Sequence, residues 1–124
     1  MNGWIGVDLD GTLAEYHGWR GPEHIGAPIP AMVERVMAWL AEGREVRIFT
    51  ARVAGGDGRD VGEVDLAIKR WCQEHIGAVL PVTNVKDYGM IELWDDRCVQ
   101  VVPNTGQTIA EQFVSEALQN KVNQ

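Results

Sequence analysis

The stretch Ile5-Gly6-Val7-Asp8-Leu9-Asp10-Gly11-Thr12-Leu13 constrains this chain most: a short apolar run delivers two carboxylates and breaks at a glycine. In an extended strand successive side chains alternate faces, so Asp8 and Asp10 emerge on one side while Leu9 points into the interior. Two like charges that close are costly unless a cation lies between them or one keeps its proton. Gly11 permits a sharp turn by which backbone groups approach a ligand, and Thr12 can cap the segment beyond it. Alone, the pattern also fits a strand that ends in a polar turn. A calcium loop is a poor match, because the ligand spacing of an EF-hand does not continue.

Periodicity supplies the frame around this stretch. Strands are expected at about Trp4 to Leu9, Arg44 to Phe49, Val79 to Val85, Ile91 to Trp94 and Cys98 to Val102. Between them, Val33, Val36, Met37 and Leu40 recur at helical spacing after Pro30 and before Gly43, and a second helical stripe runs from Val64 through Ala67, Ile68, Trp71, Cys72 and His75 to Gly77. His75 reads as a partly buried structural histidine. Thr108 followed by Glu111 forms a capping-box pattern that opens a last helix with Ile109, Phe113 and Ala117 on one face, and Asn120 to Gln124 should fray. The segment from Ala14 to Ile29 has no sustained period and reads as a turn and hairpin flap leaning over the end of the first strand. The glycine-rich run from Val53 to Asp60 reads as a flexible loop, which its place after Thr50 would put at the mouth of the site and which fits an ordinary connection equally well.

Short apolar strands alternating with helices imply an α/β fold: a mainly parallel, five-stranded sheet covered by helices on both faces, in one domain spanning residues 1–124. Ligands of such sheets bind at the carboxyl ends of the strands. Thr50 ends the second apolar run, Lys86 follows the third, and Asp95 and Asp96 end the fourth, so one crevice would gather them with Asp8 and Asp10. Because neighbours within a strand face opposite ways, only one of Asp95 and Asp96 is expected to bind a metal directly, the other acting through water or an outer group.

A net charge of −7 on 124 residues counts against broad attraction to nucleic acid or anionic membrane, although a local basic site stays open. No apolar run approaches the ~20 residues that span a bilayer, and the N-terminus lacks a basic-then-apolar signal, so a cytoplasmic protein is expected. Cys72 and Cys98 sit in apolar contexts and read as buried free thiols. Of the five tryptophans, Trp4, Trp39, Trp71 and Trp94 lie in apolar-periodic segments and belong to the core; Trp19, between glycine and arginine, is the exception.

The four signals, in order, are Asp8-Leu9-Asp10-Gly11-Thr12, then Thr50-Ala51-Arg52, Lys86, and Asp95-Asp96-Arg97. Together they resemble the haloacid dehalogenase (HAD) superfamily of aspartate-nucleophile phosphohydrolases, and in particular its small capless type, similar to the phosphatase half of phage polynucleotide kinase. The resemblance covers nearly the whole chain and implies a three-layer Rossmann-like core with no cap domain. It implies a Mg²⁺-dependent phosphomonoesterase in which Asp8 is the nucleophile and a metal ligand. Asp10 would serve as acid and then base, with its backbone carbonyl on the metal; Thr50 would hydrogen-bond the phosphoryl group and Lys86 offset the local negative charge. Asp95 and Asp96 would complete the Mg²⁺ site, and Gly11, Thr12, Ala51 and Arg52 would line the substrate, with Arg52 either on phosphate or in a surface ion pair and Arg97 structural.

An open, capless crevice implies a phosphorylated small molecule or a phosphorylated polymer end as substrate. Tyr16, His17, Trp19 and Arg20 of the flap could meet the leaving group, and a neighbouring copy in a homo-oligomer could cover the site. Two other readings use the same residues: a protein that binds Mg²⁺ and phosphate without turnover, and a receiver-type phospho-acceptor module. The receiver fits less well, since its acidic pair comes first and its phosphorylated aspartate at mid-chain.

Overall fold

A computed structural model describes residues 3–56 and 60–122. Four parallel strands, β1 (Trp4–Val7), β2 (Glu45–Phe49), β3 (Val82–Thr83) and β4 (Met90–Trp94), form one sheet in the order β3-β2-β1-β4. Helix α1 (Pro30–Ala41) links β1 to β2, α2 (Val61–His75) links β2 to β3, and α3 (Ile109–Val122) follows the sheet. Pro30 opens α1, and Asp60 caps α2 by accepting from the Glu63 amide.

The core explains why β1 is central. Ile5 and Val7 share a sheet face with their parallel partners Val46 and Ile48. Against that face pack Val33 and Val36 of α1 and Val64, Ile68 and Cys72 of α2, in one buried cluster. Both crossovers step in the same direction along the sheet, and right-handed connections therefore put both helices on the same face. This corrects the three-layer expectation. The jump from β3 to β4, on the far side of β1, carries no helix, and the opposite face is covered by side chains. There Trp4 is buried beneath the Arg47 guanidinium, 4.5 Å from ring centroid to Cζ, and its indole N–H donates to Asp87 at 2.8 Å. That bond holds the Asp87 carboxyl below the usual carboxylate range.

The sheet has four strands rather than five. The expected fifth, Cys98 to Val102, makes only an isolated antiparallel bridge between Val101 and Thr108. Val99 and Val101 are exposed, so this short apolar run has no layer to enter. Cys98 is accordingly exposed rather than buried, whereas Cys72 is buried and its thiol is pushed up to about 12 by burial. Helix α3 carries the expected capping box, with Thr108 Oγ1 accepting from the Glu111 amide at 3.0 Å. None of its side chains is buried, and it continues to Val122 where fraying was expected from Asn120. Trp39 and Trp94 are partly buried and meet at 5.2 Å, Trp71 is buried, and Trp19 stands about half exposed. His75 packs against Trp71, ring centroids 4.8 Å apart and planes tilted by 53°.

The flap forms as the sequence implies. Its two ends are zipped by Glu15 N–H to the Ala27 carbonyl and Ile29 N–H to the Leu13 carbonyl, both 2.8 Å, which projects the intervening residues over the end of β1. Of the loop expected from Val53 to Asp60, residues 57–59 lie outside the described residues; Ala51–Val53 form a 3₁₀ turn. No helix among the described residues is long and apolar enough to cross a membrane.

Candidate active site

At the carboxyl end of the sheet the chain turns hard after β1. Leu13 and Ala14 N–H groups return to the Leu9 carbonyl, and the Gly11 amide donates to Ala14 at 2.8 Å. The Asp8 amide donates to the Trp94 carbonyl at 2.9 Å, which brings the end of β4 beside it. β4 stops at Trp94, so Asp95 and Asp96 lie beyond the strand, Asp96 in a turn. Strand alternation therefore does not separate them. Carboxylate oxygens of Asp8, Asp95 and Asp96 all lie within 4.8 Å of one another, an arrangement that could hold a metal ion. Both members of the acidic pair thus lie within reach of one position beside Asp8.

Thr12 stitches the cluster together. Its hydroxyl donates to Asp96 at 2.9 Å and accepts from the Asp96 amide at 2.9 Å, with Asp8 a further 3.5 Å contact. The Arg97 amide donates to Asp95 at 2.8 Å. Burial raises the Asp8 carboxyl from near 3.8 to about 8, helped by the hydrogen bond with Asp96 and by repulsion from Asp95, Asp96 and Asp10. Receiving that hydrogen bond holds Asp96 below the usual range. Burial and the neighbouring carboxylates thus favour the protonated form of Asp8. This is the second of the two solutions open to crowded carboxylates.

Gly11 is required here by space and by conformation. Its φ is +88°, and a Cβ at this position would stand 2.6 Å from an Asp96 carboxylate oxygen. Gly11→Ala is expected to cost about 1–3 kcal/mol in backbone strain and to push Asp96 away. Isothermal titration should show divalent-cation affinity reduced at least about tenfold.

Asp10 occupies a different environment. Its two carboxylate oxygens accept from Arg52 Nε and Nη2, each at 2.7 Å. Arg52 is only 5% exposed; its Nη1 donates to the His24 carbonyl at 3.1 Å and its guanidinium lies 4.9 Å from the Trp19 ring centroid. It is a buried clamp rather than a surface ion pair. Thr50, also buried, accepts from the Arg52 amide at 3.1 Å, which leaves its hydroxyl hydrogen as a donor toward the crevice.

A crevice of about 1020 Å³ opens onto these groups. Asp8, Asp10, Thr50, Ala51, Arg52 and Asp95 line it, with Tyr16 and Trp19 of the flap. Lys86 does not line the crevice; it is exposed, near enough to Cys98 for its charge to act on that thiol. Arg97 does line it, where a structural role was expected. Asp60 lines it too, at the end of the loop expected at the mouth, whereas Glu63 and Asn84 on the wall are not anticipated by the sequence reading. The Asp60-x-x-Glu63 spacing at the start of α2, and the position of Asn84 directly after β3, were the available signals.

No family model matches the chain, and no curated protein is significantly similar to it. A solved structure, described as that of the conserved protein coded by a locus from Bacteroides thetaiotaomicron, is similar at 24% identity and a TM-score of 0.57, covering 94% of this chain and 93% of that one. The likeness is one of fold.

Proposed function

We propose that the protein is a Mg²⁺-dependent phosphomonoesterase of HAD type that acts through an aspartyl-phosphate on Asp8. The observation that carries this reading is the convergence of Asp8, Asp95 and Asp96 within 4.8 Å, beside an Asp10 clamped by a buried arginine, at the carboxyl end of a parallel sheet. All three converging groups are hard oxygen donors, the set that suits Mg²⁺. Asp8, Asp95 and Asp96 would hold the ion, with the Asp10 backbone carbonyl. When bound it would neutralise the crowded carboxylates and the negative charge of a phosphoryl group.

One Asp8 oxygen then attacks phosphorus as the bond to the leaving oxygen breaks. The Thr50 hydroxyl donates to a phosphoryl oxygen. Asp10 gives its proton to the leaving oxygen and later takes one from the water that hydrolyses the acyl phosphate. Arg52 holds the Asp10 carboxyl in place through both of its oxygens. An entering phosphate that shares the guanidinium would free an Asp10 oxygen to carry that proton, which makes Arg52 a substrate contact as well as a clamp.

Binding of Mg²⁺ and phosphate without turnover is a second reading, favoured by the position of Lys86 outside the crevice lining. A phosphate-release screen separates the two. It would cover sugar phosphates, nucleotides, 3′-phosphorylated oligonucleotides, phosphopeptides and p-nitrophenyl phosphate, with Mg²⁺ and with chelator. Release that requires Mg²⁺ supports the enzyme, whereas calorimetric Mg²⁺ binding with no release from any class supports the binding protein.

A further inference from the structure

The crevice is walled mostly by carboxylates, and among the described residues the cations that line it are Arg52 and Arg97. Arg52 is committed, since both Asp10 oxygens and the His24 carbonyl accept from its guanidinium. Arg97 is placed differently. Its amide donates to Asp95 at 2.8 Å, which fixes its backbone beside the acidic cluster. The residue is exposed, and its guanidinium makes no hydrogen bond or ion pair among the described residues. Its charge reaches the cluster even so, because it helps to hold the Asp96 carboxyl below the usual range. A guanidinium carries five N–H donors, and one that lines a cavity without a protein partner has them available to a ligand.

A phosphoryl group that enters beside Asp8, Asp95 and Asp96 adds its own negative charge to three carboxylates, more than one divalent ion offsets. A further cation is needed on that side of the crevice. Lys86, expected for this task, does not line it. We infer that the Arg97 guanidinium, in place of Lys86, donates to the phosphoryl oxygens of the substrate and offsets their charge during transfer to Asp8. This role for Arg97 rests on the phosphoryl chemistry proposed above. The planar fork of an arginine matches two oxygens of one phosphoryl group, which an ammonium does not. Because Arg97 follows Asp95 and Asp96 directly, the segment after β4 that delivers two carboxylates to the site delivers the cation that meets the phosphate as well.

Calorimetric titration of inorganic phosphate into the Mg²⁺-loaded full chain tests this, in the parent, Arg97→Gln, Arg97→Lys and Lys86→Gln. Arg97→Gln is expected to weaken phosphate binding at least about tenfold. Arg97→Lys should restore part of that loss, since the charge returns without the fork, and Lys86→Gln should stay within about twofold of the parent. Mg²⁺ titrated alone should bind Arg97→Gln as tightly as the parent or more tightly, because a cation has left the neighbourhood of Asp96. The thermal transition should not move, as the side chain is exposed. With p-nitrophenyl phosphate, kcat/KM of Arg97→Gln should fall by at least the factor lost in phosphate affinity. Phosphate affinity that survives Arg97→Gln, or that is lost in Lys86→Gln, overturns the assignment. A parallel loss of Mg²⁺ affinity in Arg97→Gln overturns it too, because Arg97 would then act by holding the acidic cluster together. A parent chain that neither binds nor releases phosphate contradicts the phosphoryl chemistry itself, and the role of Arg97 with it.

Discussion

Replacing Asp8 with Asn is expected to abolish phosphate release, by at least about 10⁴-fold in kcat, because the group that forms the covalent bond is gone. The same change should make the metal-free protein more stable, which separates loss of chemistry from loss of fold. Asp8 has a carboxyl raised to about 8 in the folded protein against an ordinary 3.8. Folding therefore takes up a proton between these values. Stability from this group is fully present below pH 3.8 and is lost as pH rises toward about 8. The Asn side chain carries no such dependence. Thermal unfolding in chelator should show Asp8→Asn gaining on the order of 5 °C at pH 8 and less at pH 5. Mg²⁺ should stabilise the parent chain, with proton release on binding, and should do little for the variant.

Arg52→Ala is expected to be the most damaging substitution for stability among the site residues. It would leave the Asp10 carboxylate without the two 2.7 Å bonds that satisfy it, remove a donor from the His24 carbonyl and open space beneath Trp19. Breaking one partner of a buried pair costs about 3–5 kcal/mol. Urea unfolding should show that loss, and kcat should fall at least about 100-fold because Asp10 loses its orientation. Arg52→Lys is expected to recover little. A single ammonium cannot reproduce the forked contact with both Asp10 oxygens. Asp10→Asn should be the milder change in metal binding, since the carboxylate of Asp10 stands outside the Asp8, Asp95 and Asp96 cluster.

The convergence of Asp8, Asp95 and Asp96 was legible from the sequence because each ends or follows an apolar run, and a parallel sheet brings such ends together. The flap was legible for a similar reason: the residues from Ala14 to Ile29 lack any period that could be buried. Apolar content misled where no layer exists to receive it. Val99, Val101 and Phe113 look like core residues in a linear reading and are exposed in the fold. The helix arrangement followed from strand order, which periodicity does not contain. Two successive crossovers in one direction put α1 and α2 on one face. Arg52 was visible as a residue near the second motif, but its partner is 42 positions away, and only the folded chain shows that Asp10 is that partner. For Asp95 and Asp96 strand alternation carries no information, because β4 ends at Trp94 and both residues lie beyond it.

A covalent bond between phosphorus and Asp8 is the step on which the proposed chemistry depends. Its most direct test is an acid quench of the Mg²⁺-loaded protein with p-nitrophenyl phosphate or the best substrate of the screen, followed by mass spectrometry of the peptides. The expected result is a phosphoryl group on Asp8, acid-stable and labile in base, absent with chelator and absent in Asp8→Asn. Phosphate release at full rate with no phosphoryl adduct on Asp8, or an unimpaired Asp8→Asn protein, would contradict it.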